Sequence, residues 1–166
     1  MILDKLNLLH GTLDAAGTIS GVAGFASGAN ILSANCIDVG VNLRDLGEGQ
    51  PLFGRFTITA AFTGGTSMEM QIVAADGTDL TTGTVTVLGT TGAIPVASLT
   101  PSSGTPPTGG SRFVCAINPR LASKGQRYIG ARFVNVGANA AGSLIADIGT
   151  EIQDGLKFYP NGFAVL

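Results

Sequence analysis

The chain has 166 residues, enough for one domain, and by size scaling such a chain buries roughly 70% of its unfolded surface without disulfides or metals. Its composition, 45% hydrophobic with 25 glycines and no tryptophan, favours β-structure with many turns. Charged residues make up 12%, about half of the usual share, and the formal net charge is −2. We infer that other copies or another protein cover part of the surface, the alternative being a soluble β-protein coated with Thr, Ser and Gly.

The charged residues are unevenly distributed along the chain. Residues 1–79 contain eight acids and three bases, whereas residues 80–146 contain five bases and no acid. If these segments form separate faces, the basic stretch predicts docking on an acidic protein surface. Nucleic-acid binding is not favoured, because the five bases are dispersed and only Tyr128 and Phe133 are available for stacking.

The first 30 residues predict an N-terminal arm. Asp4 and Asn7 interrupt the apolar start, which is therefore not a convincing signal peptide. Residues 11–30 are rich in Gly, Ala, Ser and Thr without a clear period, so we expect an arm that a neighbour orders, with a frayed terminus as the alternative. No stretch approaches the ~18 apolar residues of a membrane span, and we expect synthesis in a cytoplasm.

Alternating polarity then predicts two strands joined by a hairpin. In residues 52–62 and 67–75, apolar side chains alternate with polar ones. The residues expected to face inward are Leu52, Phe56, Ile58, Ala60 and Phe62 in the first strand, and Met68, Met70, Ile72 and Ala74 in the second.

The whole pattern predicts an all-β fold, an eight-stranded antiparallel jelly-roll-like β-sandwich with an N-terminal arm. The predicted strands are 31–39, 52–62, 67–75, 83–89, 93–99, 112–118, 127–137 and 142–151. Seven strands would suit an immunoglobulin-like sandwich equally well. The predicted organisation is therefore an arm (1–30), a sandwich domain (31–154) and an apolar C-terminal tail (155–166) that packs on the domain or on a neighbour.

Residues suited to catalysis or metal binding are few. His10, the only histidine, adjoins the predicted arm, so we expect a solvated or interface side chain that is unable to serve a Ser-His-Asp or Cys-His site. Asp76 and Asp79 predict a plain turn, because the further acidic ligands of a calcium loop are missing. We expect no enzyme, metal site or cofactor.

Other polar residues also favour structural roles. Cys36 and Cys115 are expected to be two buried thiols in a reducing cytosol, with a disulfide as the alternative. Asp147, Glu151 and Asp154 are expected to be surface charges, because strand alternation gives no reason for two of them to share a proton.

Short motifs in a fixed order give the chain a resemblance to a known family. These are the MILD start, IDVG (37–40), GEGQPL (47–52), GQRYI (125–129) and the glycine-bounded turn 137–142. With these motifs the chain resembles the Bbp16-type capsid cement proteins of tailed bacteriophages. The resemblance implies a jelly-roll protein that binds the outside of an icosahedral shell of HK97-fold major capsid protein and forms homo-oligomers, with dimers favoured over trimers.

Aromatic and basic residues are the candidate contacts with the capsid or with other copies, because Tyr and Arg often anchor interfaces. The candidates are Arg120, Lys124, Arg127, Tyr128, Arg132, Phe158 and Tyr159. Two other functions remain open: a receptor- or carbohydrate-binding module of a tail fibre or spike, and a cytoplasmic β-sandwich adaptor with no role in the virion.

Overall fold

The computed structural model describes residues 7–15, 19–25, 30–40, 51–81, 83–101, 112–118 and 126–150. The strands in this part are β1 (Leu8–His10), β2 (Thr12–Leu13), β3 (Ile19–Ser20), β4 (Val22–Ala23), β5 (Asn30–Leu32), β6 (Ile37–Asp38), β7 (Leu52–Gly64), β8 (Ser67–Ala75), β9 (Thr86–Pro95), β10 (Arg112–Ile117), β11 (Tyr128–Val136) and β12 (Asn139–Gly149). A 3₁₀ turn (Val96–Ser98) follows β9.

The strands form two larger sheets and one small hairpin, and all the pairings are antiparallel. Sheet I has the order β1-β12-β7-β10, and β4 also pairs with β12. Sheet II has the order β5-β11-β8-β9, and β6 also pairs with β11. The predicted hairpin between 52–62 and 67–75 is therefore wrong, because β7 lies in sheet I and β8 in sheet II, and alternation predicts strands without predicting which strands pair. The predicted all-β antiparallel fold is confirmed, and the jelly-roll order of its strands stays a prediction.

A single apolar core lies between the two sheets. Its fully buried members include Phe56, Ile58 and Leu144 from sheet I and Met70, Ile72 and Phe133 from sheet II. The rings of Phe56 and Phe133 meet edge to face with their centroids 6.1 Å apart. Aromatic contacts of this kind join the inner faces of the two sheets into one sandwich.

The described part of residues 1–30 corrects the predicted arm. β1 and β4 both pair with β12, through Leu8 opposite Asp147 and Val22 opposite Leu144. Leu9 and Phe25 are buried in the core. These segments are therefore two pieces of one edge strand, with the β2–β3 hairpin inserted between them, and each piece is too short to give a visible period in the sequence.

Strand β9 corrects a second prediction. Residues 83–89 and 93–99 were expected to be separate strands, but one strand runs from Thr86 to Pro95. Its glycine-rich middle is a β-bulge, where Gly92 adopts φ +70° and the Met70 amide donates to Thr91 Oγ1 at 3.2 Å. A β-bulge accommodates glycine as readily as a turn does. The glycines of this segment therefore indicated a turn between two strands, whereas the strand is continuous.

Two smaller differences also arise from local irregularities. The predicted strand 31–39 is divided into β5 and β6 by residues 33–36, although both pieces pair with β11. Ala60 was expected to face the core, but it is exposed because the register between β7 and β12 shifts nearby. One residue gained or lost in a ladder changes the face that the following side chains occupy.

Hydrogen bonds join the two sheets at both sides. On one side, the Asn35 amide donates to the Leu9 carbonyl at 2.9 Å, and Asn35 Nδ2 donates to the Leu8 carbonyl at 3.3 Å. On the other side, the Asn118 amide donates to the Leu88 carbonyl at 2.9 Å. These bonds satisfy polar backbone groups at strand edges and leave the outer sheet faces as the broad surfaces of the sandwich.

Candidate functional site

Strand β11 presents three of the candidate contact residues on or beside the outer face of sheet II. The core-facing residues Ile129, Ala131 and Phe133 are buried. Tyr128 and Arg132 have the opposite parity, so their side chains lie on the outer face. Arg127 comes immediately before the strand, and its side chain lies beside the same face because it contacts Asp38 and the ring of Tyr128.

Arg127 forms a two-bond ion pair with Asp38 of β6. Its Nε donates to Asp38 Oδ1 at 2.7 Å, and its Nη2 donates to Oδ2 at 2.6 Å. The guanidinium carbon lies 5.2 Å from the centre of the Tyr128 ring. Hydrogen bonds from Arg127 and from the Gly40 amide lower the pKa of Asp38 to about 2, so the pair is ionised at neutral pH.

A second polar network crosses sheet II around Arg132. Arg132 Nε donates to Gln71 Oε1 at 2.8 Å, and Gln71 Nε2 donates to Glu69 Oε1 at 2.7 Å. The Thr90 hydroxyl also donates to Glu69 Oε1, at 2.6 Å. These hydrogen bonds, first from Thr90 and then from Gln71, lower the pKa of Glu69 below its usual value and fix an ordered polar row across three strands.

The chain's own loop covers one part of this outer face. Leu80 is buried against Val73 and Ala75, and its side chain lies so close to Gly130 that a Cβ there would be 2.2 Å from Leu80 Cδ1. Leu80 adopts a left-handed φ of +54°, which is uncommon for a leucine. The part of the outer face beside Val73 is therefore closed to other molecules.

The loop that carries Leu80 is held by aspartate side chains. Asp76 Oδ2 accepts the Thr84 amide at 2.8 Å, and Asp79 Oδ1 accepts the Thr81 amide at 3.1 Å. The prediction of a turn at Asp76 and Asp79 is confirmed, and both carboxylates act within the loop.

The opposite end of the same face, around Val136, is open. Val136 is 55% exposed, and Val134 is half-buried on the same side of β11. Val136 lies opposite Ser67, which pairs in turn with Pro95, whereas Val134 lies opposite Glu69 of the Arg132 network. The accessible part of the outer face therefore combines the Arg132 network with a small apolar end.

The outer face of sheet I contains a buried ion pair that sequence reasoning missed. Arg55 Nε donates to Asp147 Oδ1 at 3.2 Å, and Arg55 Nη2 pairs with Oδ2. Both side chains are buried, so the expectation that Asp147 is a surface charge is wrong. Burial raises the pKa of Asp147, against the opposing effects of Arg55 and then Arg112. Strand pairing aligns Asp147 with Arg55, and nothing local in the sequence signals that register.

The uneven charge along the chain does not produce a basic face in the described part. Arg127 forms an ion pair with Asp38, and the positive charge of Arg132 helps to lower the pKa of Glu69. The positive charge of Arg112 opposes the rise in the pKa of Asp147, and Arg55 forms an ion pair with the same carboxylate. Antiparallel pairing thus brings bases from 80–146 beside acids from 1–79 and 147–166, and local pairing neutralises the positive charge that is concentrated in residues 80–146 of the sequence.

Four candidate contacts, Arg120, Lys124, Phe158 and Tyr159, lie outside the described residues, as do the predicted tail (155–166) and the acidic positions 151 and 154. The structure therefore brings together Arg127, Tyr128 and Arg132 from the predicted set and adds partners that the sequence did not single out.

His10 and the two cysteines have structural surroundings. The prediction that His10 is solvated or at an interface is wrong, because its side chain is buried beside Phe25 and Phe133. Cys36 and Cys115 are both free thiols, and burial raises the pKa of Cys115 to about 11.

Within the described ranges, no three His, Cys, Asp or Glu residues are grouped as metal ligands, and no helix is long and apolar enough to cross a membrane.

Comparison with known proteins identifies the family. The Bbp16 family model matches residues 22–148, a range that begins at β4 and ends within β12. None of the curated proteins compared with the chain matches it. The family match extends over more than half of the sequence and includes the strands that carry the outer-face networks. The chain therefore belongs to Bbp16, a phage-associated family.

Proposed function

We propose that this protein is a structural component of the phage particle and, more specifically, a capsid cement or decoration protein. In this proposal it binds the outer surface of the head and bridges subunits of an HK97-like major capsid protein. It is made in the host bacterial cytoplasm and acts in the virion without catalysis, cofactor, nucleic acid or membrane. The observation that carries the proposal is the family match over residues 22–148.

The outer face of sheet II supports this role as a preformed contact surface. Its polar groups are already fixed by hydrogen bonds, as in the chain from Arg132 through Gln71 to Glu69. Fixed side chains lose little conformational entropy when a partner binds. The exposed Val136 adds apolar area at the open end of the same face. Such a surface suits a rigid protein lattice.

Bridging explains how modest contacts would stabilise a shell. A homo-oligomer, with a dimer favoured over a trimer, holds two or more copies of the contact surface together and therefore binds neighbouring capsid subunits multivalently. Internal pressure must then break several contacts at once. If the protein binds only the expanded lattice, each bound copy also stabilises that lattice by mass action.

The copy number in purified particles tests the proposal directly. We expect quantitative mass spectrometry of density-purified phage to find this chain at a simple lattice fraction of the major capsid protein. A few copies per particle would contradict the cement role and favour a tail component. Complete absence of the chain from the particles would favour a cytoplasmic adaptor with no role in the virion.

A charge-reversal experiment tests whether the arginines of the outer face contact the capsid. Replacing Arg127 and Arg132 together with glutamate is expected to lower occupancy on particles by at least tenfold, because both side chains lie on the proposed surface. Binding of purified protein to particles lacking it measures the effect. Unchanged occupancy would exclude these arginines as contacts.

A charge swap separates contact from folding. The matched variants are Arg127→Glu alone and Arg127→Glu combined with Asp38→Arg, the second of which restores an ion pair between the same two positions. If Arg127 touches the capsid, the swap leaves binding weak. If Arg127 only supports local structure, the swap restores binding, and the contact assignment fails.

The alternative of a carbohydrate-binding tail module has less physical support. Sugar-binding surfaces commonly use exposed aromatic rings. In the described ranges, the large apolar side chains that are exposed are Leu13 and Val136, and neither is aromatic. Glycan-array binding by the purified protein, with sparse copies in the particle, would favour the tail module.

A further inference from the structure

His10 joins the N-terminal edge of the sandwich to both sheets. It is the last residue of β1, which pairs with β12 of sheet I. Its imidazole is buried, with ring centroids 5.5 Å from Phe25 and 5.1 Å from Phe133. Since Phe133 belongs to β11 of sheet II, this side chain of a sheet I strand contacts sheet II and the segment that follows β4.

The imidazole also accepts a hydrogen bond from the segment between β5 and β6. The Ala34 amide donates to His10 Nδ1 at 3.3 Å. Nδ1 must be unprotonated to accept this bond, so the proton of the neutral ring is on Nε2. The neighbouring Asn35 reinforces the junction through its bonds to the Leu8 and Leu9 carbonyls.

We propose that His10 is an acid-operated latch whose protonation releases the N-terminal strap, defined as residues 8–10 and 19–25, from residues 33–36 and from the core. Protonation turns Nδ1 from an acceptor into a donor that points at the Ala34 N–H, so the hydrogen bond is lost and two donors oppose each other. The same proton places a positive charge among buried aromatic rings. Both effects favour a state in which the ring is in water.

The direction of the pH effect follows from burial. Burial lowers the pKa of His10 below its ordinary value of 6.5, with the backbone of Val22 opposing the shift. The open state therefore takes up the proton first. The stability of the closed strap is complete above about pH 6.5 and is lost as the pH falls toward the lower pKa of the closed state.

Other ionisable groups near the latch do not reproduce this effect. Cys36 is the last residue of the 33–36 segment, and its pKa is raised by burial, so the thiol is neutral throughout the acidic range. On β12, Asp147 has a raised pKa, so its protonation on acidification favours the folded state. On β11, Tyr128 and Arg132 lie on the face opposite His10. Phe25 and the described residues of β4 carry no ionisable side chain.

Hydrogen exchange followed by mass spectrometry tests the latch in the full chain. Between about pH 7.5 and about pH 5.5, after correction for intrinsic exchange, we expect exchange in the strap to rise by up to tenfold per pH unit below the unfolded pKa. Peptides from β8 should not change. Equal changes in β8, or no change in the strap, would overturn the proposal.

Two variants identify His10 as the titrating group. His10→Asn keeps an acceptor oxygen without a titratable ring, and His10→Phe keeps an aromatic ring without an acceptor. In either variant the acid-dependent rise should disappear, and its persistence would overturn the proposal. If both variants fail to fold, an NMR titration of wild-type His10 replaces them. The signals of the imidazole and of the Ala34 amide should then change with the same midpoint, below pH 6.5. A midpoint at the ordinary histidine value of 6.5 would refute the latch. The proposal does not depend on the capsid role.

Discussion

Replacing Arg55 with methionine is expected to lower the free energy of unfolding by about 3–5 kcal/mol, because it leaves the Asp147 carboxylate buried without its main partner. Urea denaturation at neutral pH measures the loss. The pKa of Asp147, already raised by burial, should rise further in this variant. The folded state then binds the proton more readily than the unfolded state, so the loss relative to wild type should shrink as the pH falls.

A double variant separates the cost of the unpaired charge from the cost of altered packing. Arg55→Met combined with Asp147→Leu removes both charges and keeps similar volumes. It should recover most of the stability lost in the single variant, because an apolar pair often replaces a buried ion pair at little cost. A double variant as unstable as Arg55→Met would show that packing by the arginine, and not the orphaned carboxylate, determines the loss.

Phe133→Ala is expected to cost about 3–5 kcal/mol by opening a cavity at the centre of the sandwich. Phe133 is fully buried and contacts the rings of His10, Phe25 and Phe56. Its loss removes contacts with both sheets and with the segment that follows β4 at once. Thermal and urea denaturation should both report the change.

Val136→Ala is the matched control on the same strand. Val136 lies three residues further along β11, but its side chain is largely exposed. Truncation there should change the unfolding free energy by no more than about 0.5 kcal/mol. If Phe133→Ala were equally mild, the sandwich core would have to relax around the cavity, and the packing described for the two sheets would not be the main source of stability.

Local alternation was sufficient to predict which side chains of two strands face the core. In β7 and β8 the inward positions Phe56, Ile58, Met68 and Met70 follow the period of two, and each lies in the core. The same rule holds in β11, where Tyr128 and Arg132 lie on the face opposite the buried Ile129, Ala131 and Phe133.

Features that depend on distant partners were not predictable. His10 and Arg55 are polar residues, and their burial is explained only by Ala34 and Asp147, which lie far away along the chain. The β1 and β4 segments are too short to show an alternating pattern. Gly92 is a residue typical of turns, although in the structure it lies in a β-bulge. A single sequence contains no signal for which strands become neighbours, so the partners of the candidate site, including Asp38 and Glu69, were missed.

The central position of β12 in sheet I also has a consequence for folding. β12 lies between the β1 and β4 segments on one side and β7 on the other, so residues near position 8 pair with residues near position 147. Such distant pairing closes long loops before it gains contacts, which predicts slow folding on the millisecond-to-second scale. While the chain is still on the ribosome, β7 and the N-terminal segments must wait for β12 with unpaired edges, and chains truncated before residue 139 should aggregate.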